Sequence, residues 1–299
     1  MTSVARSAPT ASPPGLELSD DEFASLAQLI HRETGIFMAP SKRALLQSRL
    51  YKRLRALGLE SFGKYCALLE GRDGEIERRE LISAITTNVT RFMREPHHFQ
   101  ELRQEVLPAL LERARGGGRV RIWSAGCATG EEPYSLAFTV LDLLPEAASH
   151  DIRILATDLD PRVIGIAKAG CYPVASLVSF SPEARQKYFQ PAGEGVAEVR
   201  EEARRLVAFR VLNLLHDWPF RGDFDVVFCR NVVIYFDEST QKRLWERFAG
   251  VQDRPGARLF IGHSERVSNE ARAFYRLDRG ASYLRTDLPA PRNTGHPLG

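Results

Sequence analysis

The sequence predicts an α/β chain in two parts: an all-helical N-terminal region, then a parallel sheet layered with helices and carrying a small inserted subdomain. Three observations carry that prediction. No strand pattern occurs before about residue 90, apolar strands alternate with amphipathic helices from Arg119 onward, and residues 171–205 form a connection longer than a compact sheet needs. At 299 residues and 43% hydrophobic content, the chain exceeds one typical domain and can bury a sizeable core.

Residues 1–15 and 287–299, rich in proline and small residues, are expected to be flexible tails. The helical domain is expected over 16–92. Ser19-Asp-Asp-Glu22 forms a capping box ahead of Phe23, Leu26, Leu29 and Ile30, which marks a helix start. Further on, Leu46, Leu50, Leu54 and Leu57 form an apolar stripe, with Lys42, Arg49 and Arg53 on an adjoining face and Lys52 and Arg55 beyond. Between Ser41 and Lys64, seven Lys or Arg stand against one acid, Glu60, a local charge of about +6 by side-chain counting. That density fits either a solvated face or a docking face for an acidic partner.

The sheet domain is expected over 93–286, with strands near 119–125, 151–157, 206–211, 224–229 and 257–262. An antiparallel pair follows across 274–285, split by Gly280, and Gly193-Glu-Gly195 lies within the predicted insert, 171–205. The apolar runs are too short and too interrupted by charge for a secretion signal or membrane span, which predicts a cytoplasmic protein without membrane insertion. Cys66, Cys127, Cys171 and Cys229 are widely separated and are read as reduced thiols, with Cys127 and Cys229 beside strand ends as small buried groups. No metal is expected, and His97 and His98 are read as surface or packing residues. A net charge of +3 is too small to imply nucleic acid.

The most informative segment is Arg119 to Ala137, a strand, a glycine turn and a helix in succession. A phosphate loop would place a lysine and a hydroxyl after the second glycine, whereas Gly130 is followed by Glu131 and Glu132. Two anions favour a ligand with a cationic end, such as the ammonium of a methionine moiety. Gly126 and Gly130 are expected to let the backbone approach that ligand. The next strand ends in Asp158, where a carboxylate can accept ribose hydroxyls. Together these features point to S-adenosylmethionine. In Thr86 to Phe99, Arg94 could fix a carboxylate through two parallel hydrogen bonds. After the strand ending at Cys229 come Arg230, Asn231 and Tyr235, and the tyrosine ring could lie beside a sulfonium. Val232-Val233 stands where methyltransferases of exocyclic base amines often carry two prolines.

Four motifs in order, Thr87-Asn-Val-Thr-Arg-Phe-Met-Arg-Glu95, Trp123-Ser-Ala-Gly-Cys-Ala-Thr-Gly-Glu-Glu-Pro-Tyr-Ser135, Ala156-Thr-Asp-Leu-Asp160 and Cys229-Arg-Asn-Val-Val-Ile-Tyr-Phe236, resemble those of the CheR-type chemotaxis receptor methyltransferases. The resemblance runs from about Leu18 to Arg285. It implies a Rossmann-like class I methyltransferase domain, an N-terminal helical domain that docks on receptors, and a small β-subdomain. It also implies methyl esterification of glutamates on the receptors' cytoplasmic helical bundle, with S-adenosylhomocysteine as product. Cofactor contacts are implied for Asn88, Thr90, Arg94, Glu131, Asp158, Asn213, Leu214, Arg230 and Asn231, with Arg94 and Tyr235 nearest the transferred methyl. Met93 departs from the family's usual phenylalanine but can fill the same apolar space. A methyltransferase acting on a small molecule or RNA, and a non-catalytic cofactor- or receptor-binding scaffold, stand as alternatives.

Overall fold

The computed structural model describes residues 17–286, apart from residues 221, 222 and 255 and the side chain of Asp73. The expected tails, 1–15 and 287–299, lie outside the described residues. The chain divides between Thr86 and Thr87 into a helical unit and a sheet unit. That division precedes the expected boundary at residue 92, because the segment from Asn88 is tied into the sheet unit: Asn88 donates to Asp160, and Phe92 is buried in its core.

The helical unit comprises α1 (Asp20–Thr34), α2 (Arg43–Leu57), α3 (Phe62–Glu70) and α4 (Glu75–Ile85). Ser19 caps α1 as its sequence predicts, its hydroxyl accepting the Glu22 N–H while Glu22 accepts the Ser19 N–H. Gly35 and Gly58 end α1 and α2 in the left-handed conformation. Leu46, Leu50 and Leu54 are buried, but Leu57, the last residue of α2, is 39% exposed where the chain turns away at Gly58. Each fully buried leucine contributes about 1.5–3 kcal/mol, so the stripe holds the bundle without its fourth member.

The expected basic face is thinner than the sequence count suggests. Arg53 donates to both oxygens of buried Glu77, at 3.0 and 2.6 Å, and pairs with Glu80 at 3.0 Å. Arg49 donates to the carbonyls of Ile85 and Thr86. Both arginines therefore brace α4, whose acids lie outside the window counted in sequence. Lys52 and Arg55 remain exposed, and Lys42 is half-buried.

In the sheet unit, α5 (Pro96–Glu101) continues through one π turn into α6 (Leu107–Arg115), followed by β1 (Val120–Ala125), α7 (Glu131–Leu143), β2 (Ile152–Asp158) and α8 (Pro161–Ala169). The inserted segment contributes β3 (Cys171–Pro173), α9 (Pro182–Tyr188), β4 (Phe189–Pro191) and β5 (Val196–Val199), which make a separate three-stranded antiparallel sheet in the order β3-β5-β4. Gly193 and Gly195 make the turn between β4 and β5, both with positive φ. Then come α10 (Glu201–Arg204), β6 (Val207–Val211), β7 (Val226–Cys229), α11 (Glu238–Gly250), β8 (Arg258–Ile261), β9 (Tyr275–Arg279) and β10 (Ser282–Arg285).

The main sheet runs β6-β2-β1-β7-β8-β10-β9, parallel as far as β8 and closed by the antiparallel β10 and β9. Successive side chains point to opposite faces and feed two cores. Val120, Ile122, Val226 and Phe228 pack on one side, and Trp123, Val227 and Cys229 join α11 residues Leu244, Trp245 and Phe248 on the other. From β1 the chain builds outward through β2 and β6, then returns to β1's other side with β7. The switch point between β1 and β7, at the carboxyl ends of the strands, is where open α/β sheets take ligands. No helix among the described residues is long and apolar enough to cross a membrane.

Candidate active site

The glycine turn after β1 folds around the end of β2. Gly126 and Cys127 donate their N–H groups to Thr157 O at 2.8 and 2.9 Å, and Ala128 N–H donates to Asp158 Oδ2 at 2.9 Å. Amides spent in this way cannot cradle a phosphate, which agrees with the acidic residues that follow. The two glycines also have a reason within the protein. A Cβ at Gly126 (φ +85°) would lie 2.4 Å from Val232, and one at Gly130 (φ +100°) would lie 2.7 Å from the Tyr172 hydroxyl and 2.8 Å from Ala167. Protein packing by itself therefore requires glycine at both positions.

The paired glutamates at the start of α7 divide. Glu131 is buried and accepts from the Thr129 hydroxyl at 2.6 Å, and burial raises its carboxyl above the usual range. Glu132 turns inward, accepting from Ser124 at 2.8 Å and Arg230 Nε at 2.7 Å, so it is no ligand anion. Asp158 accepts from Ala128 and, at 3.0 Å, from the Asp160 N–H, and burial raises its carboxyl too. Asp160 in turn accepts from Asn88 at 3.2 Å and caps α8, so one buried aspartate fixes Asn88 beside the β2 edge. Past β6, Asn213 accepts the Leu215 N–H at 2.9 Å, and the Leu214 carbonyl accepts from Arg247.

Arg94 sits on strained backbone. Met93 (φ +53°) and Glu95 (φ +56°) flank it in the left-handed region, each at a cost of order 1–3 kcal/mol. Surrounding contacts impose that geometry: Met93 N–H donates to Ser135 at 3.0 Å, Arg230 donates to Arg94 O at 2.7 Å, and His263 lies 2.9 Å from Glu95. Met93 packs against the core, as its apolar character led us to expect. The Arg94 guanidinium donates to Val89 O at 3.0 Å and is partly exposed. Arg230 is the reverse. Its side chain, 2% exposed, is taken up by Glu132, Arg94 O and His98 Nδ1 (3.1 Å), and its guanidinium therefore braces the site from beneath and is not displayed to a ligand.

His98 is a packing residue, as expected. Burial lowers its pKa to about 3, so a neutral ring can accept from Arg230. Glu95, His97 and His98 do bring possible ligand atoms within 4.8 Å of one another, a grouping that sequence spacing had not suggested. The Arg230 guanidinium against His98 opposes a second cation there. Cys127 and Cys229 are buried and stay protonated, since burial raises both thiols well above their usual value.

After β7, Asn231 (φ +59°) turns the chain toward a short 3-10 helix, Val233–Tyr235. Tyr235 and Thr90 are both half-buried. Glu265, which sequence reasoning missed, accepts N–H groups from Asn231, Val232 and Val233 at 2.9–3.0 Å. Its signal was an acid three residues after Gly262 at the end of a strand. Among the described residues, the non-glycine positions of positive φ are Met93, Glu95, Ala128 and Asn231, and all four lie in the motif segments.

Buried carboxyls after the first two strands, amides at Asn88, Asn213 and Asn231, and an aromatic ring beyond β7 suit a cofactor with an ammonium, ribose hydroxyls and a sulfonium, so this donor set fits S-adenosylmethionine. Sheet order and site together define a Rossmann-like class I methyltransferase domain that follows an all-helical domain in the chain. The CheR methyltransferase SAM binding domain matches residues 88–281, and the CheR methyltransferase all-alpha domain matches residues 21–86. The chain is 51% identical over 247 residues to a probable chemotaxis protein methyltransferase of Rhizobium etli, which covers 82% of this chain and 92% of that one. It is 42% identical over 264 residues to the chemotaxis protein methyltransferase of Salmonella typhimurium, covering 87% and 88%. The Escherichia coli chemotaxis protein methyltransferase is 41% identical over 264 residues, covering 87% and 89%. This chain belongs to the CheR methyltransferase family.

Proposed function

We propose that the protein transfers the methyl group of S-adenosylmethionine to glutamate side-chain carboxylates on the cytoplasmic helical bundle of chemoreceptors, forming methyl esters for sensory adaptation. The observation that carries this reading is Arg94, a partly exposed guanidinium fixed between two left-handed residues within the matched SAM binding domain. A fixed planar cation suits a carboxylate acceptor.

When bound, S-adenosylmethionine supplies an electrophilic methyl on a sulfonium and departs as the thioether S-adenosylhomocysteine. A glutamate, with a reference pKa of about 4.3, is already ionised at neutral pH, so the chain need not supply a general base. Its task is placement. Arg94 orients the acceptor carboxylate, and Tyr235 presents its ring to the sulfonium, an attraction of roughly 0.5–2 kcal/mol depending on desolvation. Glu131 serves the ammonium end and Asp158 the ribose hydroxyls, with Asn88, Thr90, Asn213, Leu214 and Asn231 as further cofactor contacts. Arg230 is assigned to holding Arg94 and Glu132.

Receptor docking falls to the helical unit, through the exposed Lys52 and Arg55 with Lys42 beside them. Arg49 and Arg53 leave that role because their guanidiniums already have partners within the unit. The same loss weakens a phosphate-binding reading of α2. This assignment puts the enzyme in the cytoplasm with its receptors.

Labelled methyl from S-adenosylmethionine, incubated with receptor cytoplasmic fragments and then mild base, tests the proposal. Base-released methanol from receptor glutamates is the expected result. Base-stable label would overturn the carboxyl acceptor, and cofactor binding with no label on any receptor fragment would favour a scaffold.

A further inference from the structure

We infer that Glu265 is a positioning residue for methyl transfer, clamping the Asn231–Tyr235 segment to the turn after β8; the inference rests on the methyltransferase reading above. Glu265 is 3% exposed and meets backbone donors on both carboxylate oxygens. Oε1 accepts from Val232 at 2.9 Å and Val233 at 3.0 Å, with the Ile234 N–H at 3.4 Å, and Oε2 accepts from Asn231 at 2.9 Å and Gly262 at 2.6 Å. Every one of these partners is a backbone N–H. Only a group that accepts on both prongs satisfies them, since an amide would turn an NH2 toward donors on one side.

The clamp fixes a conformation the chain would otherwise leave. Asn231 has φ +59°, and consecutive amides from Asn231 onward converge on one carboxylate, so losing it would leave buried N–H groups unsatisfied. Gly262 completes the device. A Cβ there would lie 2.7 Å from Asn231 Nδ2, 2.8 Å from Glu265 Oε2 and 3.0 Å from Asn231 N, so the two turns approach closely only because residue 262 lacks a side chain. The next residue, His263, pairs with Glu95 beside Arg94 at 2.9 Å. One turn after β8 thus holds the segments carrying Asn231, Tyr235 and Arg94. Both oxygens of Glu265 are taken up by backbone N–H groups, so it acts through the backbone it holds.

The test compares wild type, Glu265→Gln, Gly262→Ala and the double variant. Each is titrated calorimetrically with S-adenosylhomocysteine, assayed for kcat and KM on receptor fragments, and followed by thermal unfolding. Ser282→Ala, which removes a buried hydroxyl on β10, serves as a purely structural control. Misplacement of site groups by about 1 Å predicts a loss of about tenfold to a hundredfold in cofactor affinity or kcat/KM for each single variant. The double variant should lose little more than the more impaired of the two singles, because both break one device. The control should lower Tm and leave cofactor affinity unchanged. Wild-type affinity and kcat/KM in both single variants overturn the inference, as do fully additive losses. If Glu265→Gln fails to fold, Gly262→Ala decides alone. Wild-type protein that binds no S-adenosylhomocysteine overturns the cofactor reading itself, an outcome distinct from wild type binding while the variants bind equally.

Discussion

Helix α2 in the helical unit and the carboxyl edge of the main sheet both carry prominent arginines, yet they use charge in opposite ways. On α2, Lys52 and Arg55 stand in water while Arg53 is held by Glu77. At the sheet edge, Arg230 is buried in a ring of Glu132, His98 and the Arg94 carbonyl so that Arg94, a residue of the same charge, can stay partly exposed. A charge count treats all four arginines alike. Burial and partners separate those that shape the protein from those free to meet a second molecule.

The largest test of that contrast is Arg230→Met. Removing a buried guanidinium leaves Glu132 buried without its cation, and urea unfolding should show a loss of about 3–5 kcal/mol. Stability close to wild type would mean that Arg230 does not brace Glu132 and the Arg94 carbonyl. Arg94→Ala should do the reverse, lowering kcat/KM on receptor fragments by about a hundredfold with little change in unfolding. Tyr235→Phe should lose less, since the ring proposed to meet the sulfonium is retained. Near wild-type turnover in Arg94→Ala would remove it from the mechanism.

A pH titration comes next. Burial raises the Glu131 and Asp158 carboxyls, so each takes up its proton at a higher pH than a free carboxyl would. Their ionised forms suit a cationic, hydroxyl-bearing cofactor. Affinity for S-adenosylmethionine should therefore weaken on acidification, beginning above the free carboxylate range of about 4. In the unliganded protein the sign reverses. A raised carboxyl pKa contributes stability below the unfolded value that is lost as pH rises through the folded one, so these two groups should favour the fold as affinity falls. Calorimetric titration of the cofactor across the acid range checks the first statement, and affinity that is flat with pH would contradict it.

The smallest effect belongs to the exposed face. Lys52→Glu with Arg55→Glu should slow methylation of receptor fragments at low salt, each charge being worth about 0.2–1 kcal/mol, and the difference should fade as salt is raised. Arg53→Gln should instead lower the stability of the helical unit. If Arg53→Gln mimicked the exposed pair and left stability unchanged, the division drawn between these arginines would fail.

Much of the site was legible because its motifs are local. A strand, a turn and Glu131 lie within a few residues of one another, and strand ends at Asp158 and Cys229 follow from alternation and apolar runs. What sequence misjudged depended on distant partners. Glu132 looked as available as Glu131 until Arg230, 98 residues later, claimed it. That Gly126 and Gly130 are also required by Val232 and Tyr172 packed against them could not be read from local spacing. Leu57 fitted the helical period but fell at a helix end, where period no longer fixes burial.

By itself the sequence determined the two-part α/β architecture, the inserted segment, the order of the motifs and the acidic character of the cofactor turn, because each depends on neighbours within one or two turns or strands. Only the tertiary structure decided which charges are free, why Arg94 is held between left-handed residues, and that Glu265 gathers the amides of a loop more than thirty residues away. Those depend on burial and on contacts across the sheet edge, and neither is written in local spacing.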